Sequence, residues 1–212
     1  MIKKHILTLA VAILAAGLTN CSGLKQPAKT IDYYVLEYPP PPSAEDIDIQ
    51  LPFSLYIKRF SAAPYYTGNP IRFREMPYKM ASYHYHKWVV PPAEMAASLL
   101  IRDFKATLPP TFVVSPDDTM GPTHSLWAHI EDFYEDDTGD PWQAVFTVHV
   151  IFSDERKTDI TDRIVFQKWY KQVKACDGKH PRALAKAMSE AMSDISAQII
   201  DDVISVAGKA GL

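Results

Sequence analysis

The amino-acid sequence predicts an α+β fold, an antiparallel-rich sheet with two amphipathic helices packed on it in a single compact domain. Three observations lead there. Strand-like runs at 125–134, 143–152 and 163–173 are separated by short polar turns. Residues 91–110 form a candidate helix bracketed by two proline pairs. From Leu184 to Val206, apolar residues recur every three or four positions.

Along the chain, Tyr33 to Tyr38 reads as a short strand, and Pro39 to Pro42 as a stiff extended spacer or a docking peptide for a partner groove. Phe53, Leu55 and Ile57 alternate with polar neighbours, the signature of a strand with one buried face. Ile71–Glu75 and Ala81–Tyr85 suggest a hairpin, with 76–80 as its loop. Pro91 and Pro92 open a helix that runs to Leu108 and is stopped by Pro109 and Pro110. Its apolar stripe is Met95, Leu99, Leu100 and Phe104, with Arg102 and Lys105 toward water.

Phe112–Ser115 is a further short run, and the three long runs that follow it form a meander. Asp136, Asp137, Thr138, Gly139 and Asp140 make one turn of that meander, and Glu155 to Asp159 the other. The last helix begins at Pro181 and buries Leu184, Met188, Met192, Ile195, Ile199, Val203 and Val206. Gly208 marks its end, and Lys186, Asp194, Asp201 and Asp202 lie on its solvated side.

The front of the chain has a different character. Lys3 and Lys4 precede an apolar stretch from Ile6 to Leu18, shorter than the roughly 20 residues that cross a bilayer, so residues 1–20 read as an export signal. Leu18, Thr19, Asn20 and Cys21 resemble a bacterial lipobox, although small residues are usual where Asn20 stands. That resemblance implies diacylglycerol on the Cys21 thiol, cleavage before it, and a further acyl chain such as palmitate on the new amino terminus. Burial contributes about 0.8 kcal/mol per methylene, so two or three chains hold a protein on its membrane. Ser22 follows, where aspartate would resemble an inner-membrane retention signal, which points to the outer membrane. Residues 21–30 form the tether and 31–212 the folded domain. The alternative is a plain secretory peptide.

Composition narrows the function. Loss of the signal takes the formal charge from -3 to about -5, and no long basic run appears, which argues against nucleic acid. There are two cysteines; with Cys21 acylated, Cys176 has no intramolecular partner, and it reads as an incidental thiol in a turn. His84 and His86 share one side of a strand and offer two imidazoles to a zinc ion, but no third ligand is evident. Glu131 with Asp132 and Asp136 with Asp137 read as solvated charge at strand ends and turns. No nucleophile elbow, phosphate-cradling loop or dinucleotide fingerprint occurs, so no cofactor is expected.

Phe60 to Gly68 reads Phe-Ser-Ala-Ala-Pro-Tyr-Tyr-Thr-Gly and leads into an arginine-bearing strand with Arg74. Tyr83, His84, Tyr85, His86, Lys87 and Trp88 then lead into Pro91 and Pro92. Together with the lipobox and the Tyr33–Leu36 strand, this order resembles the ABC-type transport auxiliary lipoprotein family.

The resemblance implies a non-enzymatic accessory of a lipid-transport system made of an ABC ATPase, a permease and a mammalian-cell-entry (MCE) domain protein. The lipoprotein would be anchored to the outer membrane facing the periplasm, bind the MCE protein and assemble into a homo-oligomeric ring. Tyr65, Tyr66, Gly68, Tyr83, Tyr85 and Trp88 are the partner-binding candidates, since aromatics supply rigid amphipathic contact area; the alternative is that they fill the core. A structural lipoprotein of cell-wall or secretion machinery and a metal-dependent hydrolase are the competing functional classes.

Overall fold

The computed structural model describes residues 29–42, 54–109, 112–114 and 121–210. Residues 1–20, Cys21, Ser22, most of the tether, Phe53, Pro110 and Ser115 lie outside them. Among the described residues the elements are β1 (Asp32–Tyr34), β2 (Leu55–Ile57), β3 (Ser61–Ala62), β4 (Pro70–Met76), β5 (Lys79–Trp88), α1 (Pro92–Thr107), β6 (His124–Asp136), β7 (Gln143–Asp154), α2 (Ile160–Arg163), β8 (Ile164–Ala175) and α3 (Pro181–Ala210). A single 3-10 turn, Pro64–Tyr66, precedes β4. The fold is α+β, with an open mixed sheet in the order β1-β5-β4-β6-β7-β8.

The meander forms as expected: β6 pairs antiparallel with β7 from His124↔Asp154 to Asp136↔Gln143, and β7 pairs antiparallel with β8. The other edge of β6 departs from that simple pattern. β2, β3 and β4 pair with it one after another, all parallel, at Leu55↔His124, Ser61↔His129 and Phe73↔Glu135. Residues 55–76 thus walk along the whole length of one strand, which no local periodicity encodes.

A register shift between Ile130 and Asp132 leaves the exposed Glu131 as the extra residue of a bulge. Before it, Leu126, Ala128 and Ile130 belong to the main core; after it, Phe133 does. The bulge therefore exchanges odd and even positions between the two faces. It directs Tyr134 away from the main core and turns Glu135 toward the helices, where that side chain is fully buried.

Both long helices cover one face of the sheet. Proline fits the first turn of α1, whose amides have no internal partners. Pro92, Met95, Ala96, Leu100, Asp103 and Phe104 are its buried residues, and Leu99 packs at the margin of the core. In α3, Leu184, Met188, Met192, Ile195, Ile199 and Val203 are all buried, and Val206 packs beside them half-buried. The helix continues past Gly208 to Ala210.

The chain after β1 ties this helical layer together. Asp103 of α1 is fully buried and accepts hydrogen bonds from the Tyr38 hydroxyl at 2.6 Å, Ser196 Oγ of α3 at 2.6 Å and Arg102 Nε at 2.9 Å. Arg102 also donates to the Tyr38 carbonyl at 2.9 Å and lies 4.5 Å from the centre of the Tyr38 ring. Arg102 is thus half-buried and bonded, not simply facing water, because its neighbour Asp103 draws it inward. The Glu37 amide donates to Ser189 Oγ of α3.

Two other local expectations change. The β4–β5 connection is a two-residue turn, Pro77 and Tyr78, instead of a loop over 76–80. Tyr78 takes φ +66, a left-handed conformation that costs a non-glycine residue about 1–2 kcal/mol. Cys176 is buried, and burial, followed by the Glu135 and Asp177 charges, pushes its thiol up to about 11.

Candidate partner surface

The sheet face opposite the helices carries two rows of rings. The first begins at the 3-10 turn, where Pro64 fixes the first backbone angle and Gly68, at φ +76, redirects the chain into β4. A Cβ at Gly68 would meet only ordinary contact with Pro70, so the backbone angle is what calls for glycine there.

Tyr65 meets Tyr66 edge-on at 6.1 Å, and Tyr66 stacks on Tyr134 at 6.4 Å with the planes 11° apart. Arginines of β4 cover both ends of this row. Arg72 lies 5.2 Å from the Tyr65 ring and donates to the Tyr65 carbonyl; Arg74 lies 4.4 Å from the Tyr134 ring and 3.5 Å from Asp136. Burial, then the Asp132 charge, pushes the Tyr66 hydroxyl up to about 12. It remains a neutral donor at physiological pH.

A second row crosses β6, β7 and β8. Trp127 stacks on His129 at 5.9 Å and meets His149 edge-on at 6.1 Å, and His149 stacks on Trp169 at 4.1 Å. Register explains the row, since His129 is opposite His149 and His149 opposite Trp169. Trp169 is 56% exposed. Ser61 Oγ and His129 Nδ1 are 2.7 Å apart. Among the described residues no carboxylate hydrogen-bonds the other His129 ring nitrogen, so the pair lacks the third group that would orient it as a nucleophile and base.

The six partner-binding candidates divide. Tyr65 is 49% exposed and Tyr85 36% exposed, whereas Trp88 is 1% exposed and packs edge-on against Phe133 at 5.3 Å. Trp88 therefore belongs to the core and supports the surface from beneath. Tyr83 is half-buried, with its hydroxyl donating 2.6 Å to Glu135 Oε1. Tyr66 and Gly68 shape the turn that presents Tyr65.

His84 is edge-on to Tyr85, while His86 faces the Tyr34 hydroxyl at 3.1 Å and Asp32 at 3.5 Å. Among the described residues no group of three or more His, Cys, Asp or Glu side chains is placed to hold a metal ion. No helix among them is long and apolar enough to cross a membrane. Trp127, Tyr134 and Trp169 escaped the sequence reading. The signal for them was the alternation within the meander, which the bulge at Glu131 disrupts.

A family model described as the ABC-type transport auxiliary lipoprotein component matches residues 34–200. No curated protein matches the sequence. Among solved structures, a Xanthomonas campestris protein of the DUF330 family superposes with TM-score 0.67 at 16% identity, over 86% of this chain and 99% of that one. An uncharacterized protein gives TM-score 0.64 at 14% identity, over 82% and 99% of the two chains. A Chlamydia trachomatis protein gives 0.50 at 9% identity, over 73% and 96%. These likenesses establish a shared fold.

Proposed function

Since the chain belongs to the ABC-type transport auxiliary lipoprotein component family, we propose that it is a non-enzymatic, lipid-anchored accessory of an ABC/MCE-type lipid-transport system. Acylated Cys21 holds it on the outer membrane, facing the periplasm, with Ser22 permitting that sorting. The domain binds the MCE-domain protein and, through it, the permease and ATPase, and it assembles into a homo-oligomeric ring.

The observation that supports action by contact is the aromatic face free of helices. Stacked rings hold their positions without the entropy cost of long flexible side chains, and a half-exposed tryptophan and tyrosine at their ends suit an interface core. Tyr65, Tyr85 and Trp169 make the direct contacts in this reading, and Tyr66, Gly68, Tyr83 and Trp88 position them.

The test is affinity purification of the acylated protein from detergent-solubilised envelopes. The wild type brings down an MCE-domain protein, whereas Tyr65→Ala combined with Trp169→Ala, still folded by circular dichroism, brings down at most a tenth as much, a loss of about 1.4 kcal/mol that is less than the roughly 2 kcal/mol of one hot-spot residue. Wild-type protein that captures no MCE component defeats the assignment. Mass analysis of the mature amino terminus checks the acylation separately.

A further inference from the structure

We propose that the β4–β5 hairpin tip is a second, peripheral contact with the bilayer, made through Tyr78 and its neighbours Met76, Pro77 and Met80. This rests on the reading that Cys21 is acylated. Tyr78 is 108% exposed, as open as a residue can be, and Met76 is 48% exposed. Proline followed by a residue at positive φ is a turn in which glycine or asparagine normally takes the second place. Here the strained position carries a large amphipathic ring, the kind of side chain enriched at membrane–water interfaces.

Strand direction places this tip on the side from which the chain comes. β1 runs parallel to β5, with Asp32 opposite His86 and Tyr34 opposite Trp88. The chain therefore enters the sheet travelling away from Lys79, the start of β5. His86 lies about 24 Å along the strand from Lys79. The eleven peptide units from Cys21 to Asp32 can span at most about 40 Å. That covalent limit exceeds the distance from His86 to Lys79, so it leaves the tip free to meet the surface that holds the acyl chains. Both ends of the meander carry charge, the acidic turn Asp136, Asp137 and Asp140 beside the tip and the turn Glu155, Arg156 and Lys157 at the far end, so chain direction is what distinguishes the tip.

The chemistry of the tip favours interfacial insertion over charge attraction. Lys79 pairs with Glu75 at 2.6 Å and Arg74 with Asp136 at 3.5 Å, so its cations are already compensated. An open recess of about 470 Å³, walled by Arg74, Tyr78, Lys79 and Met80, sits beside the tyrosine. Contact with a zwitterionic bilayer should then be insensitive to salt, unlike polybasic binding.

The experiment uses the full acylated chain in phosphatidylcholine vesicles, in a Cys176→Ala background, with an environment-sensitive nitrobenzoxadiazole probe on either Tyr78→Cys or Thr158→Cys. Vesicle flotation reports the anchor, and probe emission reports depth. The expected result is flotation of both proteins, with blue-shifted emission quenched by brominated lipid at position 78 and aqueous emission at position 158, unchanged in high salt. Flotation with aqueous emission at 78 overturns the tip contact while the anchor stands. Equal shifts at 78 and 158 also overturn it. Failure to float overturns the anchor and the proposal built on it.

Discussion

The Tyr38 hydroxyl donates to Asp103 Oδ2 at 2.6 Å, joining the segment after β1 to the buried face of α1. Ser196 of α3 reaches the same oxygen, so one carboxylate ties three parts of the chain. Burial, followed by the Asp103 contact, drives the Tyr38 hydroxyl well above its ordinary range, and it stays a donor throughout.

Asp103→Ala should therefore be severely destabilising, because it strips the Arg102 guanidinium and two hydroxyls of a shared acceptor. The expected loss is about 3–5 kcal/mol, against about 1 kcal/mol for Tyr38→Phe, read from urea denaturation midpoints. Equal effects of the two substitutions would contradict the central role given to the carboxylate.

Glu135 makes stability depend on pH. Burial raises its carboxyl to about 7, reinforced by Asp137 and opposed by the Tyr83 hydrogen bond. The folded state then holds a proton that the unfolded state has released. Its contribution is full below about pH 4.5, declines as pH rises through 7, and is flat above. Glu135→Gln should remove this decline and become progressively more stable than wild type between pH 5 and pH 7.5. Thermal melts across that range check it, and parallel curves would show that Glu135 titrates normally.

The Cys176 thiol, held at about 11, is protonated at neutral pH. A chain beginning at Ser22 should react with a disulfide reagent at least about 10-fold more slowly when folded than in urea, since two pKa units reduce thiolate about 100-fold and the greater nucleophilicity of a more basic thiolate returns about a factor of ten. Comparable rates would place the thiol at the surface.

Tyr78 sits where glycine is the easier residue. Tyr78→Gly should stabilise the domain in solution by about 1 kcal/mol, measured by chemical denaturation, because the left-handed strain is relieved. A net loss would mean that the ring packs onto the hairpin.

Much of the architecture was legible in local pattern. The period-two runs gave the meander, and the three-to-four spacing from Leu184 to Val203 gave the helix that covers it, because burial on one side of a regular element imprints a repeat within a dozen residues. The candidate surface was legible only in part. The Pro64–Gly68 motif marked one of its corners, while Trp88 was read as a candidate and lies in the core.

Residue types and their spacing determined the helices, the meander and the acidic, motif-poor character that points away from nucleic acid. Tertiary structure alone decided the parallel seating of β2, β3 and β4 along β6, the exchange of faces at Glu131, and the convergence of Tyr38, Asp103 and Ser196. Register between strands far apart in sequence, and the pairing of a buried charge, are chosen by the competition of all burial and hydrogen-bonding options at once, and no short window of sequence contains that competition.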